Sequence, residues 1–226
     1  VLRSEELHRE WGKKVLVKQG IEEILRKEVK VKRKGTVGVS TVTDPYQPLE
    51  SKTEITRRCL EILRSSGFKV SIQTKSELVL RDSDLFGSGF DLGVTIITTN
   101  EDISRLLEPG ASPPDARAHV LEELSSKIET WVFFGPVIPR VNDSKDEIKK
   151  VTEVARRTRS LLFFDWFRPK AWATERLLSS LRGKFDINTE LLYDREWKNR
   201  VLHMVQNVCH ELGVRFQLAF PDSAVT

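Results

Sequence analysis

The sequence holds only two cysteines and one methionine in 226 residues. Cys59 and Cys209 cannot build a disulfide framework. Nor can they alone ligate a structural zinc or an iron–sulfur cluster. With so few thiols, a reducing, cytoplasmic setting is the default expectation. Long apolar runs are also missing. None approaches the roughly 18 to 20 residues that a membrane-spanning helix needs, so no membrane partner is expected. No basic–apolar–small pattern opens the chain, so no signal peptide is expected. There is no Gly-rich phosphate loop, no G-x-S-x-G elbow, no internal repeat and no low-complexity tract. Charge of one sign is scarce too: 37 Lys and Arg against 33 Asp and Glu leave +4. That balance permits a nucleic-acid partner without arguing for one. The chain opens on Val1 and its methionine is Met204, which keeps open that an N-terminal segment is missing.

What is present is enough for a core. Hydrophobic residues at 39% and 11 Phe with 5 Trp exclude disorder as the main state. Short β-branched and aromatic runs recur at Val15–Val17, Val37–Val39, Val70–Ile72, Leu92–Ile97, Trp131–Ile138, Leu161–Phe164 and Val214–Phe220. Such runs read as buried strands. Between them, apolar residues fall on single helical faces around Ile21–Val29, Ile55–Leu63, Val120–Leu124 and Ile148–Ala155. A last helix carries Trp197, Val201, Val205, Val208 and Leu212 and should stop at Gly213. Strand–helix repetition predicts an α/β barrel with a parallel sheet and right-handed crossovers. The expected division is a partial barrel over 1–160 and a C-terminal extension over 161–226 packed on it.

In parallel α/β barrels the chemistry sits at the C-terminal strand ends. Here those positions are rich in hydroxyls: Ser40, Thr41, Thr43, Thr74, Ser76, Thr95, Thr98 and Thr99. Asp44 and Lys75 are the charged groups among them. A hydroxyl ring with one cation and one anion suits a zwitterionic or ribose-bearing ligand. Thr in strands and Ser or Thr at helix caps is the plainer reading of each residue taken singly. His203, Cys209 and His210 share the last helix without zinc spacing, and the Lys27–Lys34 basic run reads as a solvated helix end.

The ten residues TVTDPYQPLE from Thr41 to Glu50, then Thr56-Arg57 and IQTKS over 72–76, resemble the radical S-adenosylmethionine (SAM) proteins of the spore photoproduct lyase-like family. LEPGA over 107–111, PVIP over 136–139 and Asn142-Asp143 follow in the same order. The resemblance covers about residues 14 to 155. It implies a partial (β/α)6 radical SAM barrel, with a Cys-x3-Cys-x2-Cys loop holding a [4Fe–4S] cluster that binds SAM. That motif is absent from this sequence. The resemblance makes the Val15 run the second family strand, so the first strand and cluster loop are expected upstream of residue 1, and the Val15 strand should form an open edge. It places Lys18, Thr41, Thr43, Asp44, Lys75, Ser76 and Thr95 around the cofactor. Lys75 is the best candidate for its carboxylate, and Asp44 for its amine or ribose. Pro136, Val137 and Ile138 would wall the adenine.

The implied function is reductive cleavage of SAM to a 5′-deoxyadenosyl radical that acts on an unknown substrate, with an external reductant for the cluster. No catalytic residue and no metal ligand is singled out. Founding lyases of the family carry a hydrogen-donating cysteine after the third strand; this sequence has Ser40-Thr-Val-Thr43 there, which argues against thymine-lesion repair by that route. Tyr46 reads as a structural residue of the turn. Two other readings stand beside the first: a cluster-less barrel that binds a nucleotide or nucleic acid, and an ordinary barrel enzyme using Asp44 and Lys75 as acid and base.

Overall fold

The structure is a computed structural model and describes residues 15–39 and 43–220. Six strands form one sheet in sequential order: β1 Thr36–Val39, β2 Lys69–Thr74, β3 Phe90–Thr95, β4 Glu129–Val137, β5 Leu161–Trp166 and β6 Phe216–Leu218. Every neighbouring pair is parallel. Parallel neighbours need crossover connections. These are supplied by α1 Ile21–Val31 before the sheet, α2 Glu50–Thr53 and α3 Ile55–Ser65 after β1, α4 Glu101–Leu107 and α5 Pro114–Leu124 after β3, α6 Lys145–Arg157 after β4, and α7 Ala171–Leu181 and α8 Arg195–Leu212 after β5. Between β2 and β3 there is only a 3-10 turn over Glu77–Asp82.

The helix boundaries follow local chemistry. Ser144 caps α6 by accepting from the Glu147 amide, and Asn100 caps α4 from the Ile103 amide. Pro114 opens α5. Gly213 closes α8 at φ 66° and Gly67 follows α3 at φ 72°, conformations that cost a residue with a Cβ.

The pleat sends alternate side chains to two different faces. One face carries Val70, Ile72, Leu92, Val94, Val132, Phe134, Leu162 and Phe164, all buried. It packs on Leu60 and Leu63 of α3, Val120, Leu121 and Leu124 of α5, Ile148 and Val151 of α6, and Val201, Val205 and Val208 of α8. The other face carries Ser71, Gln73, Asp91, Trp131, Phe133 and Phe163, and lines a groove of about 790 Å³. It is held from within. Asp91 Oδ1 accepts from Ser71 Oγ at 2.6 Å and from Trp131 Nε1 at 2.8 Å. Trp131 pairs with Gly93 in register and lays its ring over it.

The expected fold class is the one observed, with one correction at its start. Val15–Val17 forms no strand and is exposed, at 53%, 62% and 42%. An apolar triplet becomes a strand only when a neighbour accepts its backbone bonds, and no described residue pairs with it. The sheet edge is β1, which pairs with β2 alone among the described strands. Lys18 therefore lies in irregular chain, not at a strand end. From residue 161 onward, β5 and β6 extend the same sheet and α8 packs on its outer face.

A Cβ added at Gly93 would stand 2.2 Å from the Trp131 ring. Gly93→Ala should therefore destabilise the protein by about 1–3 kcal/mol, seen as a lower urea midpoint at unchanged slope. Combined with Trp131→Phe it should cost less than the sum of the two single changes. An unchanged midpoint for Gly93→Ala would mean that the ring moves aside freely.

Candidate functional site

The C-terminal rim of the sheet is assembled by side chains that tie one strand end to the next. Asp44 is the tie between the loop after β1 and the end of β2. Its Oδ1 accepts from the Tyr46 amide at 2.9 Å and Thr74 Oγ1 at 2.7 Å, and its Oδ2 from the Lys75 amide at 2.6 Å. Thr74 Oγ1 in turn accepts from the Ser76 amide, and Ser76 Oγ caps the 3-10 turn by accepting from the Leu78 amide. Thr95 is buried, and its hydroxyl accepts from Gln73 Nε2 at 3.1 Å. Thr43 is exposed beside this loop, and Thr41 lies outside the described residues.

The described part of the TVTDPYQPLE block, around Tyr46, proves to be scaffold. Tyr46 is buried against Asp82, and burial first, the Asp82 charge second, pushes its hydroxyl ionisation far up. Glu50 Oε1 accepts from the Thr56 and Arg57 amides at 3.0 and 3.3 Å. Arg81 bridges Glu50 and the fully buried Asp82, while Arg57 joins Asp82 to Asp84. Thr56 Oγ1 donates to the Pro45 carbonyl at 2.7 Å. The loop that the motif encodes is thus bolted to α3 and to the 3-10 turn.

Lys75 does not hang free. Its ammonium lies 2.7 Å from Glu108 Oε1, with the lysine side chain 41% exposed and the glutamate 7%. Glu108 Oε2 also meets Arg117 Nη1 at 2.6 Å. Arg117 is the most deeply buried cation described, and it also donates to the Ser112 carbonyl, the Thr95 carbonyl and Ser104 Oγ. In the sequence Arg117 has no prominence and Glu108 no role beyond its place in LEPGA, because an arginine inside a helix and a glutamate before Pro-Gly look like surface residues until the fold is known.

On the β4 side, Pro136 is half-buried, while Val137 and Ile138 are inside the core at 0% and 1% exposure. Ile138 packs on Leu177 and Leu181 of α7. Val137 and Ile138 are therefore core residues and, unlike Pro136, present no exposed surface to a ligand. Asn142 explains why the Pro136–Asp143 segment has its pattern. Its Oδ1 accepts from the Ile138 amide at 2.7 Å, and its Nδ2 donates to the Ile97 and Pro136 carbonyls at 2.7 and 3.2 Å. One buried amide thereby clasps the loops after β3 and β4. The carboxylate of Glu147 does the same for Thr98 and Thr99, accepting from both hydroxyls and the Thr99 amide.

No family model matches the chain. Among curated proteins it is similar to the uncharacterized protein MJ0683 of Methanocaldococcus jannaschii, 32% identical over 136 residues, or 59% of this chain and 51% of that one. It is also similar to the uncharacterized protein ORF301 of Acidianus two-tailed virus, 33% identical over 66% of this chain and 50% of that one. The chain spans about half the length of these relatives. Among solved structures it resembles a domain of pyruvate-formate lyase-activating enzyme from Bacteroides vulgatus, with a TM-score of 0.56 at 11% identity over 82% of this chain and 99% of that one. It also resembles Streptococcus suis SuiB bound to S-adenosylmethionine, with a TM-score of 0.60 at 10% identity over 88% of this chain and 43% of that one. What the chain shares with these neighbours is the fold, an open parallel α/β sheet wrapped by crossover helices.

The residues present do not fit an iron–sulfur cluster. Among the described residues no three His, Cys, Asp or Glu side chains converge on a point where a metal would sit. Cys59 is half-buried in α3 and Cys209 is buried in α8. Burial pushes both thiols up to about 11. At pH 8 only about one in a thousand would be thiolate, the form that ligates and reacts. Nor does any helix among the described residues have the length and apolarity to cross a membrane.

Two outcomes follow. Iodoacetamide at pH 8 should label both cysteines slowly in the folded chain and rapidly in urea, and anaerobic reconstitution with iron and sulfide should leave no stoichiometric four-iron cluster. Fast native labelling, or a stable cluster, would contradict this geometry. Asn142→Ala should cost about 2–4 kcal/mol in chemical denaturation, since it strands the buried Ile138 amide and Ile97 carbonyl. A loss below about 0.5 kcal/mol would mean that other groups take over.

Proposed function

We propose that this chain is the SAM-holding part of a radical SAM enzyme. The observation that carries the reading is the combination of the partial-barrel fold, shared with SuiB bound to S-adenosylmethionine, and a charged, hydroxyl-rich rim at the C-terminal ends of β1 to β3. SAM is a zwitterion with a ribose and a flat apolar base. The rim is suited to each part. Lys75 offers a partly exposed ammonium for the carboxylate. Among the described residues Asp44 Oδ2 has one protein donor, which leaves acceptor capacity for an amine or a ribose hydroxyl. Thr43, Ser76 and Thr95 supply further hydroxyls at the same rim, and Thr41 belongs to the same expected set but lies outside the described residues. Pro136, half-buried ahead of the core residues Val137 and Ile138, gives an apolar surface for adenine.

Beside a [4Fe–4S] cluster given one electron by an external reductant, bound SAM would break into methionine and a 5′-deoxyadenosyl radical. The cluster's thiolates would have to come from outside this sequence, so no radical step is assigned to these residues. Their work is binding and orientation, which is the protein's usual share of cofactor chemistry. The substrate, the electron donor and a cytoplasmic location remain parts of this proposal.

The test is titration calorimetry of SAM into the chain and into Lys75→Ala. A charge-assisted contact is worth roughly 1.5–3 kcal/mol, so the variant should bind about ten- to a hundredfold more weakly. The melting temperature should fall little, because Arg117 still neutralises Glu108. Equal affinities would remove Lys75 from the site, and no heat at millimolar SAM would remove the reading itself.

A further inference from the structure

The groove on the inner face ends, at the N-terminal side of the strands, in a cluster of cations. Lys127 precedes β4, Arg159 precedes β5 and Arg215 precedes β6, and all three are exposed and line the groove. Among the described residues none of the three has a carboxylate partner, and Glu129 is the one exposed acid beside them in the groove lining. Further in stand the half-buried rings of Trp131, Phe133 and Phe163, with Trp131 and Phe163 edge to face at 5.2 Å. Register links the two parts. Leu162 pairs with Phe216 and Trp131 with Leu161, so Arg215, Leu161 and Trp131 form one row across three strands. At about 4.8 Å per strand that row spans roughly 10 Å, comparable with the reach of a nucleotide from base to phosphates. Asp91 adds polar recognition: Oδ1 holds Ser71 and Trp131, while Oδ2 has no protein donor among the described residues.

Arg159 carries a further sign. It sits just past α6 at φ 55°, with its amide bonded to the Arg156 carbonyl and the next amide bonded to the Ala155 carbonyl. This left-handed helix stop favours glycine. An arginine there sacrifices backbone ease for a cation at the groove rim.

We propose that this groove binds a nucleotide, with its phosphates on Lys127, Arg159 and Arg215 and its base against Trp131, Phe133 and Phe163. Guanidinium and ammonium groups supply the charge-assisted bonds that phosphate oxygens take. Aromatic faces supply sequence-tolerant stacking. The site lies at the opposite end of the strands from Lys75 and does not rest on the SAM reading. A free nucleotide and a nucleotide within a single strand present the same chemistry.

The test is calorimetric titration of the chain with ADP, UDP, inorganic pyrophosphate and a ten-residue oligothymidylate, with SAM as a separate arm. At least one nucleotide ligand should bind, and pyrophosphate should bind roughly tenfold more weakly or worse for want of a base. The double variant Arg159→Gly/Arg215→Ala should lose more than about tenfold while SAM affinity stays unchanged. For the oligonucleotide, each removed contact should flatten the salt slope by about 0.7. Arg159→Gly alone should bind more weakly yet melt about 2–4 °C higher, because it relieves the left-handed residue. That separates a lost contact from a lost fold. Tight oligothymidylate binding with weak ADP and UDP would name a strand as the ligand, and equal affinities a free nucleotide. No nucleotide binding at millimolar concentration, or binding unchanged in the double variant, overturns the proposal. Loss of SAM binding alone would leave it standing.

Discussion

A parallel sheet satisfies its backbone along its own plane and must then find something for each of its two faces. Here the two faces meet different fates. The outer face is a continuous layer of Val, Ile, Leu and Phe closed by α3, α5, α6 and α8. The inner face is polar and aromatic and opens on a groove. Because the pleat has a period of two, a single strand such as β2 serves both: Val70, Ile72 and Thr74 go into the core, and Ser71 and Gln73 go to the groove. Packing on one side thus supplies the stability, and the other side is left open as a groove.

The rim above that face is rigid for a specific reason. Its loops are held by buried polar groups, each making several bonds: Asp44, Arg117, Asn142 and Glu147. A buried pair such as Arg117 and Glu108 adds little net stability, since desolvation offsets most of the attraction. Its value is geometric. With four acceptors in fixed directions, Arg117 has one arrangement that satisfies it, and the Thr95 strand end, the Ser112 turn and Glu108 are positioned by that demand. A ligand site on such a rim is preorganised by groups that need never touch the ligand.

Much of this was legible in the sequence because it depends on local pattern. Five of the six strands coincide with the apolar runs at Val37, Val70, Leu92, Trp131 and Leu161, and the sixth lies within the Val214 run. The helices with one apolar face appear where their spacing puts them. Val15–Val17 has the same composition as a strand and is not one, because strand formation needs a partner and composition cannot supply it. The short α4 and the aromatic-flanked α7 lack a long apolar period and leave no comparable trace. The rim was legible in position but not in bonding. Nothing in the spacing of Lys75 and Glu108 reveals their 2.7 Å contact, since it is made by two loops that meet only in the folded chain.

That contact also decides how a ligand could enter. Most polar atoms at the rim already have protein partners, so binding is an exchange of partners and gains only their difference in energy. For most of these groups exchange would strand a buried donor or acceptor. Lys75 differs in degree. It is partly exposed itself, and although the Glu108 Oε1 it would leave is buried, the same carboxylate keeps Arg117 at 2.6 Å on its other oxygen. Giving Lys75 to an incoming carboxylate therefore leaves no buried charge unneutralised. Of the charged side chains at this rim it is the one whose release costs least, and this follows from the ion-pair geometry independently of any resemblance.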